Sequence, residues 1–290
     1  MYTITTVSEM QSWSDVARSR GQRIGLVPTM GYLHAGHLSL VAESQRRSDV
    51  TVASIFVNPL QFGANEDLDR YPRDVPRDTA LLTEVGTDVL FLPDASVMYP
   101  EGAQTTVSVE RLAQGLCGAA RPTHFRGVTT VVSKLFNIVK PHVAVFGRKD
   151  YQQFVVIRQM AADLNFDIDV VGAPIVREAD GVAMSSRNAL LSPAERQAAR
   201  CLSVALQAAG ALVQRGEVSG ARILDAVQGI IAEQPLARID YATLADPDTL
   251  AMVNAVHGPT LLALAVQVGK TRLIDNCVLS DKLQASSDKP

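Results

Sequence analysis

Arg23-Ile24-Gly25-Leu26-Val27, continuing into Pro28-Thr29-Met30-Gly31-Tyr32-Leu33-His34-Ala35-Gly36-His37, is the stretch that makes the rest of the chain readable. Its first five residues read as a strand, and the residues from Leu38 carry apolar positions at helical spacing. His34-x-Gly36-His37 therefore falls at the N-terminus of a helix that directly follows a strand. Unpaired backbone N–H groups and the positive end of the helix dipole favour an anion there. Gly36 lets backbone approach a phosphate closely, and two imidazoles can donate hydrogen bonds to phosphate oxygens as charge builds during transfer.

The same alternation extends outward through about residue 175. Val50 to Val57, Asp88 to Leu92, His142 to Phe146 and Ile168 to Val171 read as further strands. Leu38 to Arg47, Asp74 to Val85, Val128 to Val139 and Tyr151 to Leu164 read as the intervening helices. Repeated strand–helix units predict an α/β domain with a Rossmann-like, doubly wound parallel sheet, whose ligands bind beyond the carboxyl ends of the strands. After Ser192-Pro193 the texture changes to a helical stretch reaching about Arg215, a second helix from Ser219 to Glu233, and strands at Arg238 to Leu244, Leu261 to Val268 and Thr271 to Asp275. Residues 176–290 are thus expected to form a smaller α+β domain beside residues 1–175, opening a helix at Pro193 with Ser192 as its cap. The polar tail Gln284 to Pro290 is expected to fray.

Three more segments sit where chemistry is expected. Phe146-Gly147-Arg148-Lys149-Asp150-Tyr151-Gln152-Gln153 follows a strand, with a tight turn at Gly147, a cation at Lys149, Asp150 as a cap or ribose contact, and Gln153 one turn further on. Phe56-Val57-Asn58-Pro59-Leu60-Gln61-Phe62 ends another strand, and Asn58 and Gln61 suit hydroxyl and carboxylate groups. Met184-Ser185-Ser186-Arg187-Asn188 follows the strand-like Pro174 to Val176 and the acidic turn Arg177 to Gly181; its hydroxyls and guanidinium can clamp a triphosphate. Gly269-Lys270-Thr271 invites a P-loop reading, but the residue five before Gly269 is Leu264, not Gly, so a turn between two strands is expected.

Composition narrows the function classes. The chain has 290 residues, 47% hydrophobic and 20% charged, with a formal net charge of −3, so no basic field draws it onto nucleic acid. Met1 to Arg20 has neither a signal h-region nor a cleavage pattern, and the longest apolar runs fall far short of a bilayer span, so no membrane partner and a cytoplasmic location are expected. Cys117, Cys201 and Cys277 lack metal-ligand spacing and read as small buried hydrophobes.

The ordered set HAGH, FVNPLQF, FGRKDYQQ and MSSRN, with His124 to Asn137 and Arg272 to Asn276, resembles the pantothenate synthetase family, within the HxGH nucleotidyltransferases that also include class I aminoacyl-tRNA synthetases. The resemblance covers essentially the whole chain. It implies a ligase that adenylates pantoate with ATP and passes the pantoyl group to β-alanine, releasing pantothenate, AMP and pyrophosphate. By the same resemblance Pro28 to His37 hold ATP, with His34 and His37 on its phosphates and His37 the proton donor. Gly147, Arg148, Lys149, Asp150 and Val176 bind nucleotide, while Met184, Ser185, Ser186 and Arg187 close over it as part of a lid. Gln61 and Gln153 take pantoate, Gln61 with Asn58 receives β-alanine, and Asp78 contacts Mg²⁺. A homodimer through the N-terminal domain is also implied. A rival passing AMP to a phosphorylated acceptor would want extra Arg or Lys in the acceptor pocket, where Asn58, Gln61 and Gln153 stand instead.

Overall fold

The structure, a computed structural model, describes residues 1–63, 66 and 68–280. The chain divides into two compact units, Met1–Val176 and Arg177–Pro290. The tail from Gln284 lies outside the described residues.

The N-terminal unit is built on a six-stranded parallel sheet: β1 (Tyr2–Ile4), β2 (Ile24–Thr29), β3 (Val50–Ile55), β4 (Val89–Phe91), β5 (Val143–Gly147) and β6 (Asp169–Ala173), in spatial order β1-β4-β3-β2-β5-β6. The connecting helices are α1 (Val7–Ser19), α2 (Ala35–Gln45), α3 (Val75–Glu84), the single turns α4 (Ala95–Met98) and α5 (Cys117–Ala120), α6 (His124–Val139) and α7 (Tyr151–Asp163). Strands fully covered on both faces must be apolar throughout, and Leu26, Val27, Val52, Ala53, Ala144 and Val145 are all completely buried. The fold class is the Rossmann-like doubly wound sheet that the strand–helix alternation predicts.

The chain runs from β2 outward through β3 to β4, then returns to lay β5 on the other side of β2. The point of reversal therefore lies between β2 and β5, where doubly wound sheets open a crevice. Register shows the opening directly. β2 pairs with β3 through Thr29↔Ile55 but with β5 only through Leu26↔Ala144, so the two central strands part company just before Pro28. Pro28 has no N–H to donate, so it suits the end of β2 that β5 no longer accompanies. The strand thus reaches two residues beyond Val27, and the expected loop begins at Met30.

The C-terminal unit has α8 (Pro193–Ala199), α9 (Cys201–Gln214) and α10 (Gly220–Ala232) against an antiparallel sheet of β7 (Ala237–Ala245), β8 (Thr260–Val268) and β9 (Thr271–Leu279) in order β7-β8-β9. Ser192 caps α8 through a reciprocal pair: Glu195 N–H donates to Ser192 Oγ at 3.3 Å and Ser192 N–H to Glu195 Oε2 at 2.8 Å. The helical stretch expected to reach about Arg215 is divided at Arg200. Pro174 to Val176, strand-like in sequence, lie beyond β6, which stops at Ala173; a proline cannot extend the ladder. Gly269 and Lys270 form the β8–β9 turn, as the rejection of a P-loop requires. Among the described residues no helix is long and apolar enough to cross a membrane.

Candidate active site

The loop after β2 is bent by two residues with positive φ, Gly31 at 80° and Tyr32 at 51°. A Cβ on Gly31 would lie 3.0 Å from Ile55 Cγ2 and 3.1 Å from Asp78 Oδ2, so conformation and space both call for glycine. Asp78 holds this bend. It projects from α3 at 1% exposure, where Tyr32 N–H donates to Oδ2 at 2.6 Å and Leu33 N–H to Oδ1 at 2.7 Å. Arg77 adds a guanidinium 3.7 Å from Asp78 Oδ1 and stacks over the Tyr32 ring. Both oxygens of Asp78, where a magnesium contact is expected, each accept one backbone N–H, and burial raises the carboxyl's pKa. No cluster of three or more His, Cys, Asp or Glu suited to a metal occurs among the described residues.

Beyond the bend, His34 takes the N-cap position of α2 with extended backbone, and no acidic residue occupies the helix's first turn. The His34 and His37 rings stack with centroids 4.0 Å apart. His34 N–H donates to His37 Nδ1 at 3.3 Å, which places the proton of neutral His37 on Nε2. Burial, then the neighbouring His34 and the charge of Lys149, push the His37 pKa down to about 3. A neutral imidazole donor beside a lysine at a helix N-terminus is matched to an anion whose charge grows during reaction.

The turn after β3 meets this loop. Gln61 Nε2 lies 3.0 Å from Met30 Sδ, and Asn58, 1% exposed, donates through Nδ2 to Gln61 Oε1 at 3.1 Å and Gly127 O at 3.0 Å. Asn58 Oδ1 accepts from Tyr99 OH at 2.8 Å and from Leu60 N–H. The β5 end closes the group: Lys149 acts electrostatically on His37, and Asp150 on His124 at the start of α6. Asp150 stands at the N-cap of α7 without a side-chain capping bond, so plain capping is not its role. The structure thus brings together Thr29 to His37, Asn58, Gln61, Lys149 and Asp150.

Gln153 is half-buried in the first turn of α7. Its neighbour Gln152 is the one tied down, donating to Leu112 O and Gly115 O and accepting from Cys117 N–H. Tyr99, Arg121 and His124 escape sequence reasoning as individual site residues. Arg121-Pro-Thr-His124, polar and cationic just before the apolar run of α6, is the signal that could have raised the last two.

The Met184 to Arg187 segment belongs to the C-terminal unit. Ser185 caps a 3-10 turn over Ser186–Leu190, its Oγ accepting from Arg187 N–H at 3.3 Å. Asn188 donates to Glu178 Oε1 at 2.6 Å and to Ala183 O at 3.0 Å, and Arg196 grips Glu178 and Asp180 with four hydrogen bonds of 2.7 to 3.0 Å. Beneath them Arg177 makes a two-pronged pair with the buried Asp275, at 2.6 and 2.9 Å.

The geometry agrees with what the chain is similar to. A family model described as pantoate-beta-alanine ligase matches residues 2–278. A pantothenate synthetase from Geobacter sulfurreducens is 57% identical over 282 residues, 97% of this chain and 100% of the relative. Among solved structures, pantothenate synthetase from Thermus thermophilus superposes with a TM-score of 0.91 at 46% identity, covering 96% of this chain and 99% of that one. Pantoate-beta-alanine ligase from Francisella tularensis, solved with beta-gamma ATP and beta-alanine, gives a TM-score of 0.78 at 31% identity, covering 96% and 97%. With a stacked imidazole pair at the head of α2, a neutral amide turn beside it and full-length relatives of one kind, this chain belongs to the pantoate-β-alanine ligase family.

Proposed function

We propose that this enzyme joins pantoate to β-alanine at the expense of ATP, through a pantoyl-adenylate intermediate, with AMP and pyrophosphate as by-products. The observation that carries it is the stacked His34–His37 pair beside Lys149, at the opening between β2 and β5. ATP enters as its magnesium complex, so the metal arrives on phosphate oxygens with the substrate.

In the first step the pantoate carboxylate attacks the α-phosphorus of ATP, forming the C–O–P anhydride as the bond to pyrophosphate breaks. Little covalent help is needed, so positioning and charge neutralisation carry the rate. His37 presents its Nε2–H to the phosphates, Lys149 adds a fixed positive charge, and His34 supplies the second imidazole. A polyanion arriving beside His37 offsets the His34 and Lys149 charges but not the burial, so the ring stays neutral, with Nδ1 on the His34 N–H, and stabilises the departing pyrophosphate by hydrogen bonding from Nε2. Gly147, Arg148, Asp150 and Val176 are assigned to the nucleotide, and Met184, Ser185, Ser186 and Arg187 to its phosphates on the chemistry of hydroxyls and guanidinium.

In the second step the β-alanine amine attacks the acyl carbon and AMP leaves. Asn58, Gln61 and Gln153 form the acceptor side. Its neutrality supports an unphosphorylated hydroxy acid, since the nearby Arg121 is already paired with Glu66. The enzyme is further proposed to be a cytoplasmic homodimer on the strength of the family resemblance, which sedimentation tests.

The deciding assay measures pyrophosphate release from MgATP with D-pantoate alone, then pantothenate and AMP after β-alanine is added. Pantoate-dependent pyrophosphate followed by both products is expected. Release that ignores pantoate, or none at all, would overturn the assignment.

A further inference from the structure

The turn carrying Asn58 and Gln61 is not held by its own residues alone. The backbone carbonyl of Gln61 lies 2.9 Å from His124 Nδ1 and 3.1 Å from Arg121 Nη2. A carbonyl only accepts, so His124 must carry its proton on Nδ1. Its other nitrogen, Nε2, then presents a lone pair, and Arg121 Nη1 stands 3.3 Å away as the donor that fills it. Arg121 in turn donates from Nε to Glu66 Oε1 at 2.8 Å and from Nη2 to Glu66 Oε2. Every bond in the chain Glu66, Arg121, His124, Gln61 has one consistent direction, and it closes only with a neutral imidazole in one tautomer. Protonating Nε2 would set two N–H groups against each other.

Burial and the Arg121 charge support that state, taking the His124 pKa down to about 4, while the bond to Gln61 O and the charges of Glu66 and Asp150 act the other way. The first turn of α6 also meets the acceptor turn directly. A Cβ on Gly127 would lie 2.3 Å from Leu60 O and 2.6 Å from Gln61 N, and Gly127 O accepts from Asn58.

We infer that His124, oriented by Arg121 and Glu66, is a positioning residue that fixes the Gln61 backbone, and with it the side chains that receive pantoate and β-alanine, without touching the triphosphate. This rests on the function proposed above. Neutral His124 makes one donor bond toward the acceptor side, so what it sets is the placement of the acceptor amides and not their charge.

The experiment compares His124→Asn, His124→Gln and His124→Phe in the full-length enzyme, measuring KM separately for ATP, pantoate and β-alanine together with kcat and thermal melting. The amide of Asn reaches roughly the locus of Nδ1, whereas that of Gln reaches the locus of Nε2. His124→Phe and His124→Gln are expected to raise KM for pantoate and β-alanine about tenfold, with KM for ATP within about twofold of wild type. His124→Asn is expected to restore most of the acceptor affinity. Equal rises in all three KM values, or no difference between Asn and Gln, would overturn the inference. If His124→Phe does not fold, the Asn and Gln pair decides. Wild-type enzyme that shows no pantoate-dependent turnover would instead defeat the function itself, so the two failures are told apart.

Discussion

Two loops proposed to act on phosphate, one in each unit, are held by opposite means. The loop from Met30 to His37 is fixed through its backbone, by two amides on the buried Asp78 and by positive φ at Gly31 and Tyr32. The Met184 to Asn188 segment is fixed at its base by ion pairs: Arg196 with Glu178 and Asp180, and Arg177 with Asp275. Side chains at the tip, Ser185, Ser186 and Arg187, are only partly buried. A loop anchored through backbone keeps its imidazoles in register before any ligand arrives. One anchored in part by the half-exposed pairs of Arg196 keeps its base in place with a sensitivity to salt that the first does not share.

The sharpest break between the loops is chemical. His37→Ala is expected to lower kcat by about a thousandfold or more, on the order of 4 kcal/mol, with little change in melting temperature. Near-wild-type turnover in a steady-state assay would remove His37 from its role. Next comes the C-terminal unit: Asp275→Ala leaves the Arg177 guanidinium without its buried carboxylate and should cost that unit about 3 kcal/mol, read by urea denaturation. Asp78→Ala orphans two backbone amides in the N-terminal unit and should cost about 2 kcal/mol. Unlike Asp275→Ala, it should also lower activity in the fraction that remains folded.

Smaller effects separate the loops by pH and salt. The folded-state pKa of His37 lies below its unfolded value, so its contribution to stability is complete above about pH 6.5 and is lost as pH falls from there toward 3. Between pH 7.5 and 5 that loss is on the order of 1 to 2 kcal/mol, and His37→Asn should flatten the slope of stability against pH by a similar amount. Arg196→Ala should cost about 1 kcal/mol or less, since the Arg196 side chain is 25% exposed and its partners 32% and 31%. The cost should shrink further in 1 M salt, whereas that of Asp78→Ala should not change.

How much of this was legible in sequence follows from which interactions are local. The strand Arg23 to Val27, the helix opening at HAGH and the cap Ser192-Pro193 depend on neighbours three or four residues apart, and they are visible in the chain. So is the ordered set of strand-end segments, because a parallel sheet puts every strand end on one side. The strand Tyr2–Ile4 and the helix Val7–Ser19 are not legible in this way. β1 is three residues long and is recognisable only through its pairing with β4, some 87 positions away at Tyr2↔Val89. The division of one helical run at Arg200 has no breaker residue to announce it.

By itself, then, the sequence determined the fold class, the order of the chemical segments and the family to which they belong, since periodicity and motif spacing are properties of the chain. Only the tertiary structure decided that Asp78 holds backbone amides, that His37 carries its proton on Nε2, and that Glu66, Arg121 and His124 line up behind Gln61. Those facts depend on direction and desolvation, which arise when distant segments exclude water together and each donor must find one acceptor.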